Sequence, residues 1–535
     1  MRITRKAAAL LLAITLTLSL FAGCARNTSG TQPSESAGQP TSAQSSAGAV
    51  SAAPQSVDTL KVGLAAMLNN FDPLYGIGIA SIKIFYNIFD TLLTTDKDGN
   101  IVGQLAESFD WVDDKTLNVK LRSGITFQNG EPCTADDVKF SFDRVLSGYG
   151  DGTISQLYET LESVTKLDDL TVQFKTKTVD AAFLDRLGSI WGASIVPKDY
   201  TEKVGDEVFK TQPIGTGPYQ MTSYSPEKIV LTRYDGFWGE KPPARQIDFI
   251  LYPEASARVT ALINGEVDII NDVKADMVQN IESRDGLHVS GTPIQNIHIY
   301  VFNTANGPMK SEKFRQALTI GINRQLLVDT LWGEYAEVPQ GHQFKSYGDT
   351  YISDYPGIQY DVERARQLVK ESGYDGTVIE LEMRQGYYTN GDQAGEAIVD
   401  MWKDIGVNAK VVYKDSMPWE ETKHVRAWSS ASRFDDPLGA LWLLFGPGSA
   451  PANYMWLDMP EDFKETGRKL TETTDPAERK KLSRDLLTMF DTYCPGTYLY
   501  QAEDYYGVRD GIEWDMHYAQ NQITPFRAGD IKFVG

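Results

Sequence analysis

Apolar and polar positions alternate with two periods along this chain, and the switches between them mark out the elements. Thr59 to Ala65 reads as a strand and Ile79 to Leu92 as a helix, and a second strand runs from Thr116 to Leu121. A Gly-bearing turn leads from it to a helix that Thr134 caps, with Asp137 three residues on as the acidic half of a capping box. Lys228 to Tyr234 and Arg245 to Leu251 are strands, and Ser256 to Asn264 is a helix stopped by Gly265 before the short apolar strand Val267 to Ile270. His298 to Phe302 is a strand, followed by helices Glu312 to Ile322 and Asp361 to Ser372. Thr377 to Met383 and Val407 to Tyr413 are strands flanking the helix Gln393 to Ile405. A late helix opens at Asp475-Pro476-Ala477-Glu478, with a cap, Pro at the first helical position and Glu at the third. The succession predicts an α/β architecture without internal repeats, long enough for roughly three domains.

The chain ahead of this body has a different character. Arg2, Arg5 and Lys6 precede an apolar run from Ala7 to Leu20, the layout of a secretory signal. Ala22 and Gly23 before Cys24 resemble a bacterial lipobox, in which the cysteine becomes the lipidated first residue; Phe21 stands where Leu is usual. An ordinary signal peptide or an uncleaved anchor is the alternative, though the run is short for a span of about 20 residues. Residues 24–57 are rich in Ser, Thr, Ala, Gly, Gln and Pro, and a segment so poor in large apolar side chains reads as a flexible linker.

Charge narrows the partners. The chain carries 51 Lys and Arg against 72 Asp and Glu, a formal charge of −21, and losing the three cations of the leader takes it to −24. Such acidity argues against nucleic acid and anionic lipid surfaces. Besides Cys24 there are only Cys133 and Cys494, too few for a disulfide framework and read as buried small hydrophobes. Catalytic motifs are missing: there is no His-Glu-x-x-His and no Gly-x-Ser-x-Gly, and His288, His298, His342, His424 and His517 are scattered. Gly215-Thr216-Gly217-Pro218-Tyr219 lacks the spacing and Lys of a phosphate loop and reads as a tight turn, while Gly76-Ile77-Gly78 reads as a pocket-edge loop. Neither a cofactor nor a metal is implied, and an enzyme, a secreted hydrolase of a small solute, is the competing class.

The segment from Arg122 through Gly130-Glu131-Pro132 and Ala135-Asp136-Asp137-Val138 to Arg144 resembles a signature of the peptide/nickel class of extracellular solute-binding proteins, the receptors of ABC importers. Phe71-Asp72-Pro73, Asp98 to Phe109, Pro213 to Tyr219, Gly265 to Asp268, Phe302-Asn303 with Phe314 to Leu318, and Tyr360-Asp361 with Ala365 to Leu368 carry the resemblance in order over nearly the whole body. It implies an α/β, two-lobed, hinge-closing periplasmic-binding-protein-like fold with an extra subdomain in the first lobe. Lobe I would hold residues 58–88, 212–297 and 506–535, the subdomain 89–211 and lobe II 298–505. The implied work is capture of a peptide or other small solute by a monomeric receptor, lipid-anchored through Cys24 on the outer face of the cytoplasmic membrane or free in a periplasm, and delivery to an ABC permease.

The resemblance also points to site residues. In peptide-binding members an aspartate four residues before the Pro of a Trp…Asp-Pro motif takes the peptide ammonium; in Trp428 to Pro437 that position is Arg433. Reversing a unit charge there matters, since a pair at about 4 Å is worth roughly 4 kcal/mol at an effective dielectric of about 20. Arg433 would repel an ammonium and suit a carboxylate, phosphate or sulfonate. Equally, it would pair locally with Asp435 or Asp436, and a register slip would put one of those acids at the anchor. Before Tyr387-Tyr388-Thr389-Asn390, where dipeptide binders carry a carboxylate-gripping arginine, Gln385 stands with Arg384 beside it. The loop at Asn70 and Phe71, ahead of Asp72-Pro73, tends to face ligand in the family, although Asp-Pro is also plain turn chemistry. Leu438 occupies the place of a metal-assisting histidine. Trp419, Trp428, Trp442 and Trp456 divide between cleft wall and core.

Overall fold

The computed structural model describes residues 56–75, 79–150, 152–516 and 523–534. The leader, Cys24, nearly all of the linker, the Gly76-Ile77-Gly78 loop and His517 lie outside the described residues. Among those described, no helix is long and apolar enough to cross a membrane.

An eleven-stranded mixed sheet is the backbone of the molecule. One half pairs Val57–Leu64 in parallel with Ala244–Leu251 and Ile269–Ile270, and continues through Lys228–Arg233 to Tyr219–Ser225. The other half pairs Ile379–Met383 in parallel with Ala409–Tyr413 and Val425–Ala431. Two long antiparallel strands, Leu287–Phe302 and Gly496–Arg509, run through both halves. The first pairs Asn296 to Phe302 with Val425–Ala431, while the second pairs Gly507 and Val508 with Ile269–Ile270. Their mutual ladder breaks between Pro293 and Ile297. Pro293 has no N–H to donate, so a break is least costly there. These two strands are the connection a hinge requires, and with helices on both halves they give the two-lobed α/β fold the resemblance implied.

A separate four-stranded antiparallel sheet runs Ala106–Asp113, Thr116–Leu121, Thr171–Thr176, Leu161–Lys166. Helix Ala135–Leu146 packs against it, and Asp137 accepts both the Thr134 N–H (2.8 Å) and hydroxyl (2.9 Å), the reverse half of the predicted capping box. The Gly215 and Gly217 turn is structural: a Cβ on Gly215 would stand 2.2 Å from the Ile88 carbonyl oxygen, so two backbones meet where no side chain fits. Gln128 fastens that meeting, donating to the carbonyls of Ile88, Gly217 and Tyr219. Cys133 and Cys494 are free and buried, as their isolation in the sequence implied.

Several boundaries move. The first helix is Ile79–Ile88, four residues shorter than its apolar pattern, because Phe89 to Leu92 are buried between elements rather than on one helical face. The expected strand His298 to Phe302 is the end of the sixteen-residue strand, and Gly496–Arg509 carries no comparable local signal.

Candidate functional site

A cavity of about 360 Å³ opens where the long strands cross between the halves of the sheet. Lys83, Asn271 and Asp272 line it from one half, Asn296, His298 and residues 502–505 from the crossing strands, and Trp332, Tyr387 and Tyr388 from the other half. A second cavity, about 240 Å³, shares Tyr387 and Tyr388 and adds Arg384, Arg426 and Trp428. The two cavities share the tyrosine pair, and the one of about 360 Å³ is within the volume range of small-molecule sites.

The loop carrying that pair is fixed at both ends. It joins strand Ile379–Met383 to helix Gly391–Asp404, entered through Asn390 at φ 55°, a left-handed conformation Asn tolerates. The Asn390 amide donates to the Leu331 carbonyl at 2.8 Å, and the Gly386 N–H donates to Asp392. Tyr388 meets Tyr387 and His298 edge-on, His298 stacks on Tyr500 at 4.9 Å, and Trp332 tilts onto Tyr500 at 5.4 Å. This aromatic wall suits apolar side chains and planar groups. Burial pushes the His298 imidazole down to about 4, so it is neutral at physiological pH.

Charge is distributed unevenly over the space. At the crossing strands the Lys83 ammonium lies 3.1 Å from Asp504 and donates to the Tyr506 hydroxyl at 2.8 Å. Burial opposes the Lys83 charge, yet Asp504, Tyr506 and Asp272 outweigh it and raise its pKa. Asp272, held at φ 50°, has its carboxyl pushed up by burial, with Lys83 pulling the other way. In the second cavity the Arg426 guanidinium packs against both Trp419 (4.0 Å) and Trp428 (4.7 Å), whose rings meet edge-on at 5.1 Å, and Arg384 lies 4.7 Å over the Tyr387 ring. Burial lowers the Arg426 pKa to about 10, leaving it a cation at neutral pH.

The sequence-predicted residues fall into three groups. Trp428, Arg384 and Tyr387 line the space, and Gln385 is exposed beside them without lining either cavity. Two leave the candidate set. Phe71 is fully buried, edge-on to Tyr224 at 5.2 Å, and Asp436 is taken by Arg479 and by the Leu438 N–H. Asn70 spends its side-chain oxygen on the Asp72 N–H at 3.0 Å. Third, Arg433 and Asp435 line neither of these cavities but a small one of about 50 Å³, shared with Asp185, Ser189 and Trp191. There the Arg433 guanidinium sits 3.7 Å over the Trp191 ring, its carbonyl accepts the Ser189 hydroxyl at 2.7 Å, and Arg186 lies 4.9 Å over Phe434. Gln295 of the crossing strand donates to Asp435. Of the four tryptophans, Trp442 and Trp456 are core.

Sequence reasoning missed Arg426, Lys83, Asp272, Asn296 and Glu503. Arg426 left one readable trace, its two-residue spacing from Trp428, which puts both on one face of a strand. The others come from segments far apart in the chain. No group of three or more His, Cys, Asp and Glu able to hold a metal occurs among the described residues.

A family model described as bacterial extracellular solute-binding proteins, family 5 Middle, matches residues 100–452. Oligopeptide-binding protein AppA of Bacillus subtilis (strain 168) is 26% identical over 557 aligned positions, covering 97% of this chain and 98% of its own length. Among solved structures, the Helicobacter pylori periplasmic binding protein DppA in complex with peptide STSA superposes with a TM-score of 0.80 at 20% identity, over 90% of this chain and 99% of that one. AgaA of A. tumefacien R10, in complex with agropinic acid, gives 0.78 at 22% identity, over 89% and 99%.

Proposed function

Because the chain belongs to the bacterial extracellular solute-binding proteins of family 5, we propose that it is the receptor of an ABC importer that takes a peptide or peptide-like solute into the space around Tyr387 and Tyr388. The observation that carries the reading is the position of that space: it is lined from both halves of the sheet and from the strands that join them, so a bound solute touches both halves at once. Such a solute favours the closed arrangement by its differential contacts, and the closed form is what a permease would distinguish.

The proposal extends to parts that rest on the sequence. Lobe I is assigned to residues 58–88, 212–297 and 506–535, the subdomain to 89–211 and lobe II to 298–505, a division supported by the four-stranded sheet falling inside 89–211. Cys24 is proposed as the lipid anchor and residues 24–57 as the leash, on a monomeric receptor. The anionic end of the solute is assigned to Arg384 and Arg426, the two cations that line the space away from the crossing strands. Arg433 is assigned to the contact with Trp191, and Asp435 to that with Gln295. A secreted hydrolase finds no support among the relatives.

Native mass spectrometry of the purified protein, before and after mild denaturation, tests the reading. A ladder of released peptide masses, or one discrete zwitterionic mass, is the expected result. A protein that carries nothing, binds no peptide, and converts an offered solute to product on long incubation would overturn it in favour of the enzyme.

A further inference from the structure

The cavities of about 360 and 240 Å³ have two lining residues in common, Tyr387 and Tyr388. Of these two cavities, Lys83 and His298 line only the larger, and Arg384 and Arg426 only the smaller. The tyrosine pair is therefore the boundary between them.

The two rings are held differently. Tyr388 is set into the wall, edge-on to His298 at 4.8 Å, and lines a further small pocket with Met383 and Ala394. Tyr387 is 55% exposed although it lines both cavities. Its ring meets Tyr388 edge-on at 4.8 Å and the Arg384 guanidinium at 4.7 Å, and both partners belong to its own loop. That loop is tied at its ends, by the Gly386 N–H on Asp392 and the Asn390 amide on the Leu331 carbonyl, and open at its tip. Gly386 turns at φ 64°, which glycine adopts without strain, and a Cβ there would meet nothing within 4 Å. The tip thus has room to turn without disturbing the core.

Size gives this boundary a consequence. The larger cavity lies at the lower end of the range for small-molecule sites, the smaller falls below it, and the two joined reach well inside it. We propose that the Tyr387 ring is a divider that sets the length of peptide the receptor accepts. A short peptide is held on one side of the ring, and a longer one spans both cavities only by turning the ring aside. Turning it breaks one aromatic and one cation–π contact, which penalises the long peptide and leaves the short one untouched. This rests on the reading of the two cavities as the solute site and adds to it a residue that selects by length.

A competition between lengths tests the divider. The whole chain, freed of co-purified solute by mild denaturation and refolding, is offered an equimolar mixture of random tripeptides and hexapeptides with free ends. Retained members are quantified by mass spectrometry. Tyr387→Ala removes the divider, and the ratio of hexapeptides to tripeptides is expected to rise roughly fivefold to fiftyfold, the worth of the two contacts. Tyr387→Trp, which enlarges the ring, is expected to lower that ratio below the unaltered protein's. Because the readout is a ratio within one protein, a general loss of affinity does not move it. An unchanged ratio in Tyr387→Ala, with both lengths falling alike, makes the ring a plain ligand contact; it overturns the divider and leaves the peptide receptor standing. A shift toward tripeptides in that variant overturns the divider as well. Retention of neither length by the unaltered protein overturns the receptor reading along with it.

Discussion

At the scale of single residues, Arg433 changes its meaning between sequence and structure. Counting from Pro437 left it between a ligand anchor and a local pair with Asp435 or Asp436, and its contacts with Trp191 and Ser189 add a third reading, a clasp. Its guanidinium covers Trp191, its carbonyl takes the Ser189 hydroxyl, and close by Gln156 donates to the Leu443 carbonyl at 2.9 Å. A clasp acts on closure and so on every solute alike, whereas an anchor acts on one charge type. Arg433→Ala is therefore expected to weaken binding by about 1 kcal/mol, roughly fivefold, by the same factor for neutral and anionic solutes. Trp191→Ala should reproduce the loss, and the double variant should add little to either. Calorimetric titration of two solutes differing only in charge decides the matter. Selective loss of the anionic one, with Trp191→Ala silent, would restore the anchor.

At the scale of elements, the sequence was most readable where structure is local. The Asp475 cap, with its carboxylate accepting the Glu478 N–H at 2.9 Å, is where spacing put it, because a cap is settled within four residues. The crossing strands were illegible for the opposite reason. Gly291, Thr292 and Pro293 interrupt any period-two pattern, and the strand exists through pairing with a segment some two hundred positions away. Site residues divide the same way. Trp428 and Arg384 were found through a resemblance, while Lys83, Asp272 and Glu503 meet only when three distant segments assemble. Packing can also reverse a local preference. Gly467 lies inside helix Glu461–Glu472, where Ala is favoured by about 1 kcal/mol. A Cβ there would stand 1.9 Å from the Trp442 ring, which also packs against Phe463 and so has little room to retreat. Overpacking costs about 1–3 kcal/mol, so Gly467→Ala is expected to lower the melting temperature despite its better helix propensity; a rise would mean that the ring moves freely.

At the scale of the whole molecule, buried titratable groups of opposite kinds set how stability follows pH. Burial pushes Asp185 up to about 7, with Asp436 and Asp435 adding to it, and burial raises Asp530 to about 7 and Asp491 to about 6. A carboxyl whose folded pKa is raised contributes stability below its unfolded value near 4 and loses it as pH rises through the folded one. The buried histidines run the other way: His298 at about 4 and His342 at about 3 contribute fully above about 6.5 and lose that as pH falls. Between about 4 and 6.5 the two sets offset each other, but above 6.5 the histidine contribution fades while Asp185 and Asp530 are still titrating. Stability to chemical denaturation is thus expected to fall between about pH 6.5 and 7.5. Asp185→Asn should flatten that fall, because an amide keeps the neutral form at all pH and faces Asp435 and Asp436 without a charge. Denaturant midpoints across this window, for both proteins, check it. A midpoint that rises with pH there would mean that Asp185 is ionised in the folded molecule, held by neighbouring cations such as Arg479.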